Sequence, residues 1–192
     1  MIEFSYIVVG VCLVLTLSWV RTRFASFTAQ RPQDYLGIGD AFDLRKHLNG
    51  PLVCEGVIYG PLGRVSSRFV GYFDCHWTGD VGVMSEVFHY DDGSVQNREW
   101  NLSISADGAI KATAPDVIGE GGGFQSGSSV QLKYRIRLPD SSGGHVLDTV
   151  DWMYLAPNGS IVNRSQFRKF GVQVAELVAT IRPAIVDLKE AA

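Results

Sequence analysis

Residues 86–104 read "EVFHYDDGSVQNREWNLSI". Two runs that alternate apolar and polar residues flank Asp91-Asp92-Gly93, and alternation at period two marks strands with one buried face. Asp-Asp-Gly suits a three-residue hairpin loop, a type I turn closed by glycine in the left-handed region, so Gly93 sets the register. That register predicts Tyr90 opposite Ser94, Phe88 opposite Gln96, Glu86 opposite Arg98 and Met84 opposite Trp100. Phe88, Trp100, Leu102 and Ile104 then share a face with Glu86 and Arg98, which predicts an ion pair inside the apolar face of an antiparallel sheet.

The same alternation extends in both directions. Strands are predicted at 52–60, 64–77, 81–90, 94–106, 108–116, 128–138, 145–156, 159–164 and 171–182. Turn signals separate them, among them Pro61-Leu62-Gly63, Thr78-Gly79-Asp80 and Asp107-Gly108. Eight to nine short antiparallel strands at this spacing predict a sandwich or a closed barrel. "GEGGGFQSG" at 119–127 reads as a flexible loop, and 40–50 as a short helix capped by Asp40 or Asp43 and ended by Asn49-Gly50. The division expected is an anchor at 1–23, a linker and short helix at 24–49, a barrel at 50–182 and a tail at 183–192.

A second hairpin lies at 151–171, "DWMYLAPNGSIVNRSQFRKFG". Proline fits the first turn position and Gly159 the left-handed one, which sets Tyr154 opposite Val162 and Trp152 opposite Arg164. The expectation is Arg164 flat against the Trp152 ring, a cation–π contact. Ser165 would cap a short turn ended by Gly171, and Asp151 and Lys169 are read as surface or cap residues.

The N-terminus differs from the rest. Phe4 to Val20, "FSYIVVGVCLVLTLSWV", is 17 residues without a charge. At about 1.5 Å per residue it spans about 25 Å, the short end of a membrane crossing. A cleaved signal peptide is the rival, but it wants a basic start and a small-x-small cleavage site, and here Glu3 stands at the start. A buried core helix is the third alternative. Cys12 does not complete a lipoprotein box, since Val11 is too large before it. Arg21, Arg23 and Arg31 all follow the span, so the positive-inside rule leaves the following domain in the cytoplasm.

Chemical motifs are sparse. His47, His76, His89 and His145 are scattered without metal-ligand spacing, and the glycine-rich run lacks a following Gly-Lys-Ser/Thr, so no metal or cofactor is expected. A net charge of −3 without a long basic run argues against nucleic acid. The hairpin at 60–64 puts Cys54 opposite Gly71, well away from Cys75, so both cysteines read as free thiols. The candidate site is therefore the barrel interior: Glu86 and Arg98 as a polar anchor, with Phe69, Phe73, Phe88, Trp100 and Tyr134 lining a pocket for an apolar ligand. A structural ion pair, an enzyme using Glu86 as acid or base, and a barrel filled by its own side chains remain open, with the balance against an enzyme.

"FDLRKHLNG", "GRVSSRF", "EVFHYDDG", Arg98 with Trp100, "APDVIG", "DWMYL" and "NRSQFRKFG", in this order, resemble the bacterial domain-of-unknown-function family 3833 over about 32–182. The resemblance implies a lipocalin-like β-barrel tethered at the bacterial envelope, usually as a lipoprotein, with no established activity or ligand. It sets the barrel on the periplasmic side of a single-pass anchor, against the arginines; the periplasmic side is the one preferred, and the conflict stays open.

Overall fold

The computed structural model describes residues 2–184. An apolar helix, α1 (Ile2–Phe24), leads into two 3-10 turns, Phe27–Ala29 and Pro32–Tyr35, and a one-turn helix, α2 (Leu44–His47). Ten strands follow among the described residues: β1 (Gly50–Tyr59), β2 (Val65–Thr78), β3 (Val81–Tyr90), β4 (Val95–Ile104), β5 (Ala109–Thr113), β6 (Gly121–Ser126), β7 (Ser129–Arg137), β8 (Val146–Leu155), β9 (Ile161–Lys169) and β10 (Val172–Pro183). All neighbours are antiparallel, and β10 returns to pair with β1, closing the barrel. Closure leaves no unpaired sheet edge. The expected tail beyond Ala184 lies outside the described residues.

The strand count corrects the expectation of eight to nine. The added strand is β6, inside the stretch expected to be a flexible loop. Two of its inward positions are glycines, Gly121 and Gly123, because β7 leaves no room: a Cβ at Gly121 would come within 2.9 Å of the Tyr134 Cβ, and one at Gly123 would meet the Gln131 carbonyl. The short turn expected from Ser165 is likewise absent, since β9 continues to Lys169. The helix expected over 40–50 is confined to α2, with the Asp43 carboxylate accepting from the Arg45 N–H at 3.0 Å.

Both register assignments hold. Glu86 stands opposite Arg98 and Met84 opposite Trp100; Trp152 stands opposite Arg164 and Tyr154 opposite Val162. Gly93 and Gly159 take the left-handed conformation, at φ 85° and 82°. Cys54 pairs with Gly71, and Cys54 and Cys75 are free and buried.

The barrel has two unlike ends. Its floor is closed by Phe42, Leu44 and Leu48, all buried, with the Trp77 indole N–H donating to the Leu48 carbonyl at 2.8 Å. The other end is a mouth ringed by the β1–β2, β3–β4, β7–β8 and β9–β10 connections and the β5–β6 loop. Residues 27–42 strap the outside wall down to the floor. Tyr35 packs 5.2 Å from the Trp152 ring, Tyr154 donates to Gln30 Oε1 at 2.8 Å, and the Phe42 N–H donates to the Gly127 carbonyl at 2.8 Å.

The strap corrects the reading of the second hairpin. Trp152 and Arg164 do share the outer face, but Arg164 lies over the Phe27 ring at 4.7 Å and pairs with Glu176 at 2.9 Å. Trp152 is 0% exposed because Tyr35 and its neighbours cover it. A sequence pattern shows which residues share a face; it does not show that 27–35 folds back over that face and takes Arg164 for itself.

Helix α1 is apolar on every side, and its contacts are with the turn Phe27–Ala29 that follows it. The stretch Glu3–Phe24, 22 residues, is long and apolar enough to cross a membrane and is unburied throughout. A helix with no polar face and no protein cover is a membrane anchor or a signal sequence.

Candidate functional site

The barrel encloses a cavity of about 770 Å³, within the range of about 300–1,000 Å³ common for small-molecule sites. It runs from Leu44 and Leu48 at the floor to Asp92, Ser94 and Pro139 at the mouth. Inward positions alternate along each strand, so β2 contributes Phe69 and Phe73, β3 Met84, Glu86 and Phe88, β4 Arg98, Trp100 and Leu102, and β7 Leu132 and Tyr134. The five aromatic residues expected to line a pocket all reach this one space, and Glu86 and Arg98 stand within it.

The expected ion pair is not formed. Arg98 Nε donates to Asp116 Oδ1 at 3.0 Å, and no ion pair joins Arg98 to Glu86 among the described residues. The guanidinium is held elsewhere: its carbon lies 4.1 Å from the Trp100 ring centre and 5.7 Å from that of Tyr134. The weakly hydrated planar cation lies over the Trp100 ring, beside a Tyr134 ring set at 79° to it, and its Nε faces the β5–β6 loop. Arg98 Nη2 and Glu86 Oε2 are buried without a hydrogen-bond partner. Buried polar groups are ordinarily satisfied; Gln131, Thr149, Trp152 and Arg168 also hold an unpartnered buried atom, but these two alone line the cavity, with opposite hydrogen-bonding sense, among the described residues.

Burial pushes the Glu86 carboxyl up to about 7; Arg98 pulls it back, while Asp151 and Asp116 add to the rise. Asp151, expected at the surface, lines the cavity instead. Its Oδ1 accepts from Asn163 Nδ2 at 2.5 Å and Ser165 Oγ at 2.7 Å. Burial raises its pKa, and these two donors oppose the rise. The reversal has a simple origin. Trp152 is outward under the strap, so Asp151 beside it in the strand must point in. Tyr134 is also raised by burial, so its hydroxyl stays a neutral donor.

Cys54 lines the same cavity, and burial with the nearby Glu86 and Asp151 charges raises its pKa strongly. It is a protonated thiol at neutral pH and a poor nucleophile. Among the described residues no three His, Cys, Asp or Glu side chains converge as a metal site. Gly93 and Gly159 serve the turns, and Trp152 and Arg164 serve the strap; none of these four lines the cavity. Asp116 was not singled out by the sequence reading, since it reaches Arg98 from a loop that strand register does not position.

The solved structures that this fold resembles are distant in sequence. One is Rv2717c from M. tuberculosis, 13% identical, with a TM-score of 0.53 over 72% of this chain and 94% of that one. Another is the S-type phycobiliprotein lyase CPES from Guillardia theta, 8% identical, with a TM-score of 0.52 over 73% of this chain and 90% of that one. At such identities the likeness is one of fold, lipocalin-like. No curated protein matches the chain. The family model described as "Protein of unknown function (DUF3833)" matches residues 22–183, from the end of the apolar helix through the last strand, and the chain belongs to that family.

Proposed function

We propose that this protein is a membrane-anchored binding barrel that holds a small, largely apolar ligand with a polar head. The observation that carries the reading is the cavity of about 770 Å³, open at the mouth, whose aromatic wall contains two buried, unpartnered polar atoms, Arg98 Nη2 and Glu86 Oε2. Phe69, Phe73 and Phe88 supply apolar contact, while Arg98 offers a donor and Glu86 an acceptor when ionised or a second donor when protonated. A single acyl or lipid-like chain with a hydroxyl, amide or carboxyl end suits both. Helix α1 acts as an uncleaved anchor, and the barrel sits on the periplasmic side.

Native mass spectrometry of the full chain, released gently from detergent, tests the binding. Wild type is expected to carry a co-purifying small molecule, and Arg98→Met, which keeps most of the side chain's bulk, to lose it. A wild type that carries nothing, or an Arg98→Met protein that retains the same mass, overturns the reading. Alkaline phosphatase fused at the C-terminus reads the side: activity supports export, and fluorescence of a green fluorescent fusion without phosphatase activity puts the barrel in the cytoplasm.

A second reading is an enzyme acting on a lipid-like substrate through Glu86 and Arg98. The Glu86 carboxyl near neutrality favours it, since general acid–base groups work best when they titrate near ambient pH. Turnover lost in Glu86→Gln with ligand binding kept would separate the enzyme from the carrier. A ligand-free interaction module is the third reading, and it predicts an interior that takes up no small molecule.

A further inference from the structure

At the mouth, the β1–β2 and β9–β10 hairpins stand side by side, because β1 pairs with β10 and a shallow groove lined by Pro61, Gly63 and Gln173 joins them. Their tips carry apolar side chains in the open: Leu62 is 84% exposed, Phe170 92% and Val172 66%. Phe170 is the least expected. It is the first residue of a two-residue turn in which Phe170 and Gly171 both have positive φ, 52° and 78°. Such positions favour Asn, Asp or Gly, and only here among the described residues does a non-glycine residue adopt positive φ. The Phe170 ring packs on no part of the barrel core; its recorded neighbour is the Lys169 ammonium, 5.8 Å from the ring centre. Neither backbone preference nor packing inside the barrel accounts for a phenyl ring at this point, whereas an apolar medium outside the barrel does.

Arg64, Arg168 and Lys169 flank the apolar tips, and the Arg64 side chain has no ion-pair partner among the described residues. Across the mouth the β5–β6 loop carries the exposed Glu120, while Asp91, Asp92 and Asp140 sit on the connections beside the tips, Asp91 paired with Arg68 at 3.0 Å. The tether leaves from the apolar, basic side. Phe27, three residues beyond the end of α1, sits on Arg164 of β9, six residues before Phe170 at the β9–β10 tip, about 20 Å along the strand.

From these three observations we infer that the Leu62 and Phe170 hairpin tips dock into the bilayer that holds α1, with Arg64 and Lys169 on anionic headgroups, so that the mouth opens against lipid. The inference rests on α1 being an anchor. Short basic-apolar loops of this kind enter the interfacial layer, where rings and aliphatic side chains leave water while ammonium and guanidinium groups stay with the headgroups. Docking at one sector of the rim tilts the barrel so that the β5–β6 loop, with Glu120, stays in water.

The test uses the full chain with Cys12→Ser, reconstituted into vesicles of equal parts phosphatidylcholine and phosphatidylglycerol. Cysteines are introduced singly as Leu62→Cys, Phe170→Cys and, on the far side of the mouth, Glu120→Cys, and labelled with a polarity-sensitive dye; Cys54 and Cys75 are buried and stay unlabelled. Lipid-borne nitroxide is expected to quench the dyes at 62 and 170 strongly and the dye at 120 weakly. Removing Arg64 or Lys169 is expected to weaken docking by about fivefold each, and vesicles of phosphatidylcholine alone to weaken it further. Chain that floats with the vesicles while all three dyes are quenched alike, or none is, overturns the docking and leaves the anchor standing. Dyes at 62 and 170 shielded from water but untouched by lipid nitroxide mean that a protein, such as a second copy, covers the tips, which also overturns it. Chain that fails to float removes the anchor and the docking together.

Discussion

Glu86 links the cavity to stability as well as to binding. Its carboxyl has an ordinary value of 4.5 and is pushed up to about 7 by burial. Between those values the folded protein holds a proton that the unfolded chain has released, so stability falls as pH rises through the window and is regained below it. At about 1.4 kcal/mol per pH unit the effect sums to about 3 kcal/mol. Melting temperature is therefore expected to drop between pH 5 and pH 8 in the wild type, and Glu86→Gln is expected to flatten most of that slope; an unchanged slope would show that Glu86 is ionised throughout. Asp151 contributes in the same direction, since its pKa is also raised by burial. The pairing of Glu86 with Arg98 across the strands was legible because Asp-Asp-Gly fixes the loop length. The ion pair was not, because Trp100 and Tyr134 orient the guanidinium and Asp116 arrives from a loop eighteen residues further on.

Among the elements, β6 is the one that alternation could not reveal. Two of its inward residues, Gly121 and Gly123, are glycines because Tyr134 and Leu132 of β7 already fill the space beneath them, so the stretch has the composition of a loop and the geometry of a strand. Gly123→Ala is expected to destabilise the barrel by about 1–3 kcal/mol or more, through displacement of β7, as chemical denaturation would read. Gly122→Ala, where the nearest atom to a new Cβ is 3.9 Å away, is the mild control. The end of β9 was hidden for a related reason. Asn163 and Ser165 look wrong for an inward face until Asp151 is seen to accept from both. The strap is the third such element: Trp152→Ala removes a fully buried ring and is expected to cost about 3–5 kcal/mol, with the segment around Tyr35 becoming open to protease in the folded protein. Protease resistance equal to wild type would mean that the strap holds without its aromatic seat.

At the scale of the molecule, closure of the sheet makes the barrel one cooperative unit. Cys75 is fully buried, and burial pushes its thiol up to about 11. Its reaction with a thiol reagent is expected to follow the rate of global unfolding read by circular dichroism, and faster reaction would reveal a local opening at β2. The antiparallel strands and the apolar helix before them were plain in the sequence, because turn residues and period-two alternation recur through nearly the whole domain; alternation alone left a sandwich open, and the resemblance chose the barrel, while the course of 27–42 was not legible, since nothing local says which wall a strap will follow. That strap ends in the plug of the floor, Phe42, Leu44 and Leu48. With the far end stoppered by the chain's own entry segment, the chamber has a single doorway. A molecule inside can leave only the way it came, and a newcomer must wait for it. On the proposed binding reading, a ligand would be exchanged at one surface, and a flow from one side of the barrel to the other is closed to it.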